Sequence, residues 1–247
     1  MTTRESNSEI ESLSNSITDD LELLGAQSAY RADADEIDPR YKSYGVRAPE
    51  MKRYISQLKP TFSKMETSAK IGLAKRLIAS GFGEQKTVAL ALLEREARYF
   101  TPDRFNLLEE IFSQLYGWSK IDAYTGLFLR QILNAHETEL IALLRAWNLH
   151  DDQWLRRASV VLFTRQVARS ERYKDVALAN CDNLIHAKEH LVQTGVGWCL
   201  RDLMRWHKED ILPYVIDLRA KGISSKITLY ALRDIKGDER KEILGKT

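Results

Sequence analysis

Four helical segments of this chain start at nearly equal intervals, and this repeat constrains the fold more than any other feature. The segments begin at Gln85, Lys120, Arg156 and Gln193, which are 35, 36 and 37 residues apart. Within each segment apolar residues recur at three- and four-residue spacings, as in a helix with one buried face. A period near 36 residues with two helices per unit is typical of HEAT or armadillo repeats. The sequence therefore predicts an all-α fold, an α-solenoid or superhelix of HEAT-like helical repeats.

Turn-forming residues predict where these helices end. From about residue 48 onward helix follows helix, and no stretch alternates at period two for long enough to form a strand. The predicted breaks contain glycine, proline or paired aspartates. They fall at Gly81–Gly83, Thr101–Pro102, Gly117, Asp151–Asp152, Pro213 and Gly222.

The charge distribution divides the chain into two parts. Residues 1–39 carry a net charge of −8, and residues 40–247 carry +10. We expect residues 1–39 to form an acidic leader, partly disordered or helical, with disorder over 1–8, a helix over Glu9–Leu24 and then a linker. The basic remainder, residues 40–247, is predicted to be the repeat domain, and its charge suits a polyanion such as nucleic acid.

Several common protein classes are disfavoured by composition. The chain has no run of 18 apolar residues, and its N-terminus lacks the basic and apolar regions of a secretory signal. The two cysteines, Cys181 and Cys199, are isolated in the sequence, as expected of reduced, buried thiols. We therefore expect a cytoplasmic protein with no membrane partner, most simply a monomer.

Aligning the four segments places five chemically notable side chains on one helix face. When the position of each side chain is counted from the start of its segment, successive positions differ by three or four residues, which is the spacing of one helix face. The side chains are Trp118, Asp122, Arg157, Trp198 and Arg201. Two glycines of the last segment, Gly195 and Gly197, are predicted to let a bulky object approach the backbone beside Trp198.

Aromatic rings, arginines and a single carboxylate together indicate a specific chemistry. Guanidinium groups pair with phosphates and flat rings contact sugars or bases, so the face suits DNA. A carboxylate repels phosphate, but it stabilises the oxocarbenium-like sugar that forms when a glycosidic bond breaks. An N-alkylated purine is already cationic and leaves as a neutral base, so no second carboxyl group is required.

Four stretches resemble the DNA alkylation repair glycosylases of the AlkD-like group, which are built from HEAT-like repeats. The stretches are YKSYGVRAPEMKRY (41–54), WSKID (118–122), WLRRASVVLF (154–163) and VQTGVGWCLRD (192–202). The sequence differs from the family in its acidic leader and in Gly117, where an aromatic residue often precedes the tryptophan. Either Tyr41 or Tyr44 is the candidate for an N-terminal tyrosine that some members use against DNA.

The resemblance implies a role for each matching residue, in a DNA glycosylase domain covering residues 40–247. Trp118 and Trp198 would pack on the deoxyribose, and Asp122 would stabilise the oxocarbenium ion and orient water. Arg157 would hold a phosphate, and we further predict DNA contacts from Arg201, Arg156 and Lys86. The substrates would be 3-methyladenine and 7-methylguanine in duplex DNA, with no metal or other cofactor.

Two other functions remain compatible with the sequence. Solenoids of this kind also serve as non-catalytic scaffolds that bind nucleic acid or protein, and such a scaffold has no use for Asp122. The stretch His186-Ala-Lys-Glu-His190 fits the His-x-x-Glu-His pattern of inverted zinc proteases, which requires both histidines on one continuous helix. The repeat register instead predicts a turn between two helices at this position.

Overall fold

The computed structural model describes residues 3–28 and 38–245, and within these ranges the chain is all-α. This confirms the predicted all-α helical-repeat fold. One isolated β-bridge pairs Lys42 with Phe82. The described residues contain no helix that is both long and apolar enough to span a membrane. The helices are α1 (Thr3–Ala26), α2 (Ala48–Lys64), α3 (Thr67–Ala79), α4 (Gly83–Leu93), α5 (Asn106–Phe112), α6 (Trp118–Tyr124), α7 (Arg130–Ala135), α8 (Glu137–Asn148), α9 (Gln153–Val161), α10 (Glu171–Leu184), α11 (His190–Met204), α12 (Lys208–Ala220), α13 (Ser225–Ala231) and α14 (Gly237–Ile243).

The predicted repeat corresponds to helices that start at regular intervals along the chain. Helices α4, α6, α9 and α11 begin at Gly83, Trp118, Gln153 and His190, two or three residues before the predicted segment starts. Asp152 explains one of these starts, because its carboxylate accepts hydrogen bonds from two backbone N–H groups of the first turn of α9.

The chain divides into two compact units, Met1–Leu140 and Ile141–Thr247. In the first unit α3 packs along α4, and the buried leucines and isoleucines of α3 together with the buried leucines and Val88 of α4 form a core that excludes water. In the second unit α11 is the central helix and packs on α9, α10, α12 and α13. This division differs in position from the predicted boundary at residue 39, which stays a prediction.

The acidic leader contributes a helix to the core of the first unit. Helix α1 begins six residues before the predicted Glu9 and includes most of the stretch expected to be disordered. Its residues Ile17 and Leu21 are fully buried, and α1 packs on α3 and α4. Residues 29–37, the larger part of the predicted linker, lie outside the described residues.

The break predicted at Pro213 is wrong, because α12 runs through this residue. Proline lacks a backbone N–H and so removes one hydrogen bond from the interior of a helix. Ile211, Val215 and Leu218 of α12 are buried in the core of the second unit, and their packing offsets this loss. Tertiary burial therefore overrides the local signal.

Candidate nucleic-acid interface

Helix α6 carries the candidate catalytic carboxylate one turn after an exposed tryptophan. Trp118 is the first residue of α6 and is 44% exposed, whereas Asp122 is only 6% exposed. The four-residue spacing places both side chains on the same side of the helix. A large aromatic surface open to a ligand thus lies one helical turn from a largely buried carboxylate, and the roles expected of these two residues stay predictions.

Tyr41 occupies the space that a side chain at Gly117 would fill. A Cβ atom added at Gly117 would lie 3.2 Å from the Tyr41 ring, and one added at Gly83 would lie 1.8 Å from its hydroxyl oxygen. A side chain at either position would therefore make this tyrosine shift, slightly for Gly117 and further for Gly83. Tyr44 instead stacks on Phe82 with ring centroids 3.9 Å apart. Of the two candidate tyrosines, Tyr41 is the one that packs beside the start of α6.

The helix that begins with α6 changes its geometry three residues after the carboxylate. Residues Thr125–Leu129 form a π-helical segment, and α7 continues from it. Segments of this kind are rare in proteins and occur frequently at functional sites. The hydroxyl of Thr125 is buried and, among the described residues, has no hydrogen-bond partner. Nothing in the sequence pattern indicated this segment.

Lys86 does not lie at a surface where DNA could contact it, in contrast to the prediction. Its side chain is fully buried, and its ammonium group donates hydrogen bonds to the carbonyl oxygens of Gly81 (3.4 Å) and Leu115 (3.1 Å). The ammonium nitrogen also lies 4.4 Å from the centre of the Tyr116 ring. Burial, reinforced by the charge of Lys120, lowers the pKa of Lys86 to about 7. Lys86 therefore ties together the turns before α4 and α6.

A groove runs beside α6 in the first unit, between α2 and α4. It has a volume of about 680 Å³ and is lined by both apolar and basic side chains of α2. Lys120 lines it and donates a hydrogen bond to the Thr87 hydroxyl at 2.7 Å. Burial lowers the pKa of Lys120 to about 8. Part of the positive charge predicted for the domain therefore borders this groove.

Glu84 organises the segment that carries the aromatic-Gly-Val stretch. Its carboxylate is buried and accepts hydrogen bonds from the Ser43 hydroxyl and from the backbone N–H groups of Tyr44, Gly45 and Val46. Four donors satisfy this buried charge, so the carboxylate is engaged in holding the loop. The sequence contained no signal for this role, because the glutamate and the loop are about 40 residues apart.

In the second unit Arg157 points inward and fastens the start of α11. It is 4% exposed, and its guanidinium donates hydrogen bonds to the Leu191 carbonyl oxygen and to the Thr194 hydroxyl. The neighbouring Arg156 forms an ion pair with Glu189 at 2.6 Å. Both arginines thus hold the connection that leads into α11. Neither presents the exposed guanidinium that a phosphate contact requires in this conformation.

The two glycines of α11 make room for protein groups. A Cβ atom added at Gly195 would lie 3.3 Å from Cγ of Arg157, and one added at Gly197 would lie 2.7 Å from Cβ of Tyr230. Gly195 therefore lets Arg157 cross α11, and Gly197 lets α13 approach it closely. The expectation that these glycines admit a bulky ligand beside Trp198 is wrong, because the space is already filled.

Arg201 belongs to a cluster of charged side chains. Its guanidinium donates to the carboxylate of Asp202 at 2.9 Å, and Asp234 lies 3.8 Å away. Asp202 is 2% exposed and also forms an ion pair with Arg205. A phosphate could engage Arg201 only by competing with two carboxylates. The DNA contact predicted for Arg201 stays a prediction. The expectation that the site residues of both units share one surface also stays a prediction.

The loop before α10 places an arginine over the candidate tryptophan. Arg165 is exposed, and its guanidinium carbon lies 4.8 Å from the centre of the Trp198 ring. Trp198 itself is partly exposed. Arg165 carries no signal in the sequence, because a residue after the end of the predicted helix has no position in the repeat register.

The His-x-x-Glu-His stretch spans the connection between two helices. Helix α10 ends at Leu184 and α11 begins at His190, so the two histidines do not share a continuous helix. The intervening Glu189 is the ion-pair partner of Arg156. The described residues contain no group of three His, Cys, Asp or Glu side chains arranged to hold a metal. The zinc hypothesis thus lacks the geometry that it requires.

Comparison with known proteins identifies relatives at the level of family and fold. A family model described as DNA alkylation repair enzyme matches residues 19–235, so the match begins inside α1. A solved structure described as "Predicted DNA alkylation repair enzyme from Enterococcus faecalis" superposes with a TM-score of 0.68 at 16% identity, covering 79% of this chain and 89% of that chain. That similarity shows a shared fold. No curated protein matches the chain.

Proposed function

This chain belongs to the DNA alkylation repair enzyme family, and we propose that it is a DNA glycosylase acting on cationic N-alkylated purines in duplex DNA. The observation that carries this proposal is the pair formed by Trp118 and Asp122 on α6. An exposed ring can pack on a deoxyribose while a carboxylate one turn away faces the same sugar. 3-Methyladenine and 7-methylguanine are the substrates that suit this arrangement.

The proposed reaction needs only one carboxylate because the leaving group is already charged. The bond between C1′ and the purine nitrogen breaks, its electron pair stays with the base, and the base departs neutral. Positive charge then develops on the sugar, where Asp122 stabilises it in a site shielded from bulk water. Water adds to C1′ and loses a proton, which leaves an abasic sugar. No side chain is required to protonate the base.

Arg157 and Tyr41 have supporting roles in this proposal. Arg157 holds the first turn of α11 and thereby the helix that carries Trp198, the candidate ring of the second unit. Tyr41 supports the start of α6 in the same way in the first unit. The protein would then act as a monomer on duplex DNA.

Replacing Asp122 by asparagine tests the proposal directly. The variant keeps the shape of the side chain and removes its charge, so release of 7-methylguanine from alkylated duplex DNA should slow by about 10²–10³-fold under single-turnover conditions. Binding to undamaged duplex should survive, because the carboxylate repels phosphate.

The matched control removes the same charge elsewhere. Asp151→Asn alters an exposed carboxylate before α9 and should release the base at the parent rate. If Asp122→Asn also releases 7-methylguanine at the parent rate, the proposed mechanism is wrong. A parent protein that binds duplex DNA but releases no base would favour the scaffold function instead.

A further inference from the structure

Three exposed arginines of the second unit lie over aromatic rings. Each guanidinium carbon is between 4.2 and 4.8 Å from the centre of a ring carried by α11, by the residues after it or by α13. We refer to them as the arginine–aromatic pairs. They are Arg165 with Trp198, Arg169 with Trp206, and Arg233 with Tyr230.

The backbone at Arg165 is held in an uncommon conformation that places its side chain at Trp198. Its φ angle is +54°, in the left-handed region that costs an ordinary residue on the order of 1 kcal/mol. The backbone N–H of Arg165 donates to the carboxylate of Asp202 at 2.8 Å. Because Asp202 is buried and belongs to α11, the loop is fixed to the helix that carries Trp198. The first pair is thus a constrained arrangement.

An exposed arginine that lies over a ring differs from the arginines that the sequence had singled out. Arg156 and Arg201 face carboxylates that compete with any phosphate, and Arg201 does so although it also lies 5.5 Å from the centre of the Tyr230 ring. Among the described residues no carboxylate lies within ion-pair distance of Arg169 or Arg233. An aromatic ring contacts the face of a guanidinium, whereas the five N–H donors lie around its edge in the plane that matches phosphate oxygens. Stacking also restricts the side chain, which reduces the entropy lost on binding.

We propose that the arginine–aromatic pairs form a phosphate-binding surface for the DNA strand that contacts Trp198. This inference rests on the proposed function, since DNA is its ligand. Rings beside cations favour nucleic acid over an acidic protein segment, because sugars and bases offer flat surfaces that a carboxylate chain lacks. Arg165 is the contact nearest the sugar proposed to pack on Trp198, and Arg169 and Arg233 extend the surface.

The salt dependence of DNA binding measures these contacts. Each phosphate contact contributes about 0.9 to the slope of log K against log salt concentration. We expect Arg165→Gln, Arg169→Gln and Arg233→Gln each to reduce the slope for undamaged duplex by about 0.9, and the triple variant by about 2.7. The control is Lys221→Gln, an exposed cation between α12 and α13 that pairs with Asp217 at 2.6 Å and does not lie over a ring. It should leave the slope unchanged.

The outcomes separate this inference from the proposed function. If the parent binds duplex DNA and releases 7-methylguanine while the triple variant keeps the full salt slope, the surface does not contact phosphate and the inference fails alone. If the triple variant still binds duplex DNA but no longer binds an acidic peptide probe, the inference is also wrong. A parent that neither binds duplex DNA nor releases base would contradict both. Thermal melting of each variant checks that the fold is intact.

A lysine at position 165 distinguishes charge from stacking. Arg165→Lys keeps the positive charge and loses the planar guanidinium over Trp198. We expect it to recover most of the salt slope but to leave 7-methylguanine release slower than in the parent, because the ring and the strand are less well positioned. Full recovery of both measurements would show that the stacked geometry has no function.

Discussion

Replacing the buried Lys86 by methionine should change how the stability of the protein depends on pH. The side chain has no exposed surface, and burial lowers its pKa from 10.5 to about 7. Each tenfold change in proton affinity corresponds to about 1.4 kcal/mol, so this fall represents about 5 kcal/mol of preference for the neutral amine in the fold. Methionine has a similar length and carries no charge to bury.

The sign of the effect follows from which state holds more protons. Between pH 7 and pH 10.5 the unfolded chain keeps the Lys86 proton and the folded protein releases it. The unfolded state therefore binds more protons in this window, and the parent gains stability as the pH rises through it. From pH 7 to pH 9 we expect a gain of about 2 kcal/mol from this group. Lys86→Met should lack that gain.

Chemical denaturation of the parent and of Lys86→Met at pH 7 and pH 9 isolates the contribution of Lys86 to the pH dependence of the free energy of unfolding. Other titrating groups, Lys120 included, are present in both proteins and largely cancel in the difference. The variant leaves the Leu115 carbonyl oxygen without the Lys86 donor, which shifts the variant's stability at both pH values and does not affect the slope. Lys52→Met, at an exposed site on α2, is the control and should follow the parent. A difference between parent and Lys86→Met that stays constant from pH 7 to pH 9 would refute the reasoning.

Further predictions concern the leader, the glycines of α11 and the substrate. Leu21→Ala should lower the free energy of unfolding by about 2–5 kcal/mol in denaturant titrations, because the residue is fully buried in α1; an unchanged midpoint would show that the leader is dispensable. Gly197→Ala should lower the free energy of unfolding by about 1–3 kcal/mol, and its melting temperature should fall further than that of Gly195→Ala. The reason is that a Cβ at position 197 would meet the backbone of α13, whereas a Cβ at position 195 would meet a side chain that can move. Uracil in duplex DNA should not be released, since the proposed site has no acid for a neutral base, and its excision would contradict the proposed mechanism.

Helix periodicity and the spacing within one helix were determined by the sequence. The period near 36 residues predicted where α4, α6, α9 and α11 begin, to within three residues. Trp118 and Asp122 share one side of α6 because four residues complete about one helical turn, whatever the rest of the chain does. Such features follow from backbone geometry and from the alternation of apolar and polar residues, which are local properties.

Only the tertiary structure decided which partner each charged side chain has. A lysine or arginine at a given helix offset is compatible with solvent, an ion pair or burial, and the choice depends on residues that are distant in sequence. Lys86 is buried because the turns at Gly81 and Leu115 supply acceptors, and Arg157 points inward because Gly195 leaves space for it. Arg165 lies over Trp198 because Asp202, 37 residues later, holds its backbone in the left-handed conformation. Local periodicity therefore determined the helices, whereas long-range packing determined which cations remain exposed for a ligand.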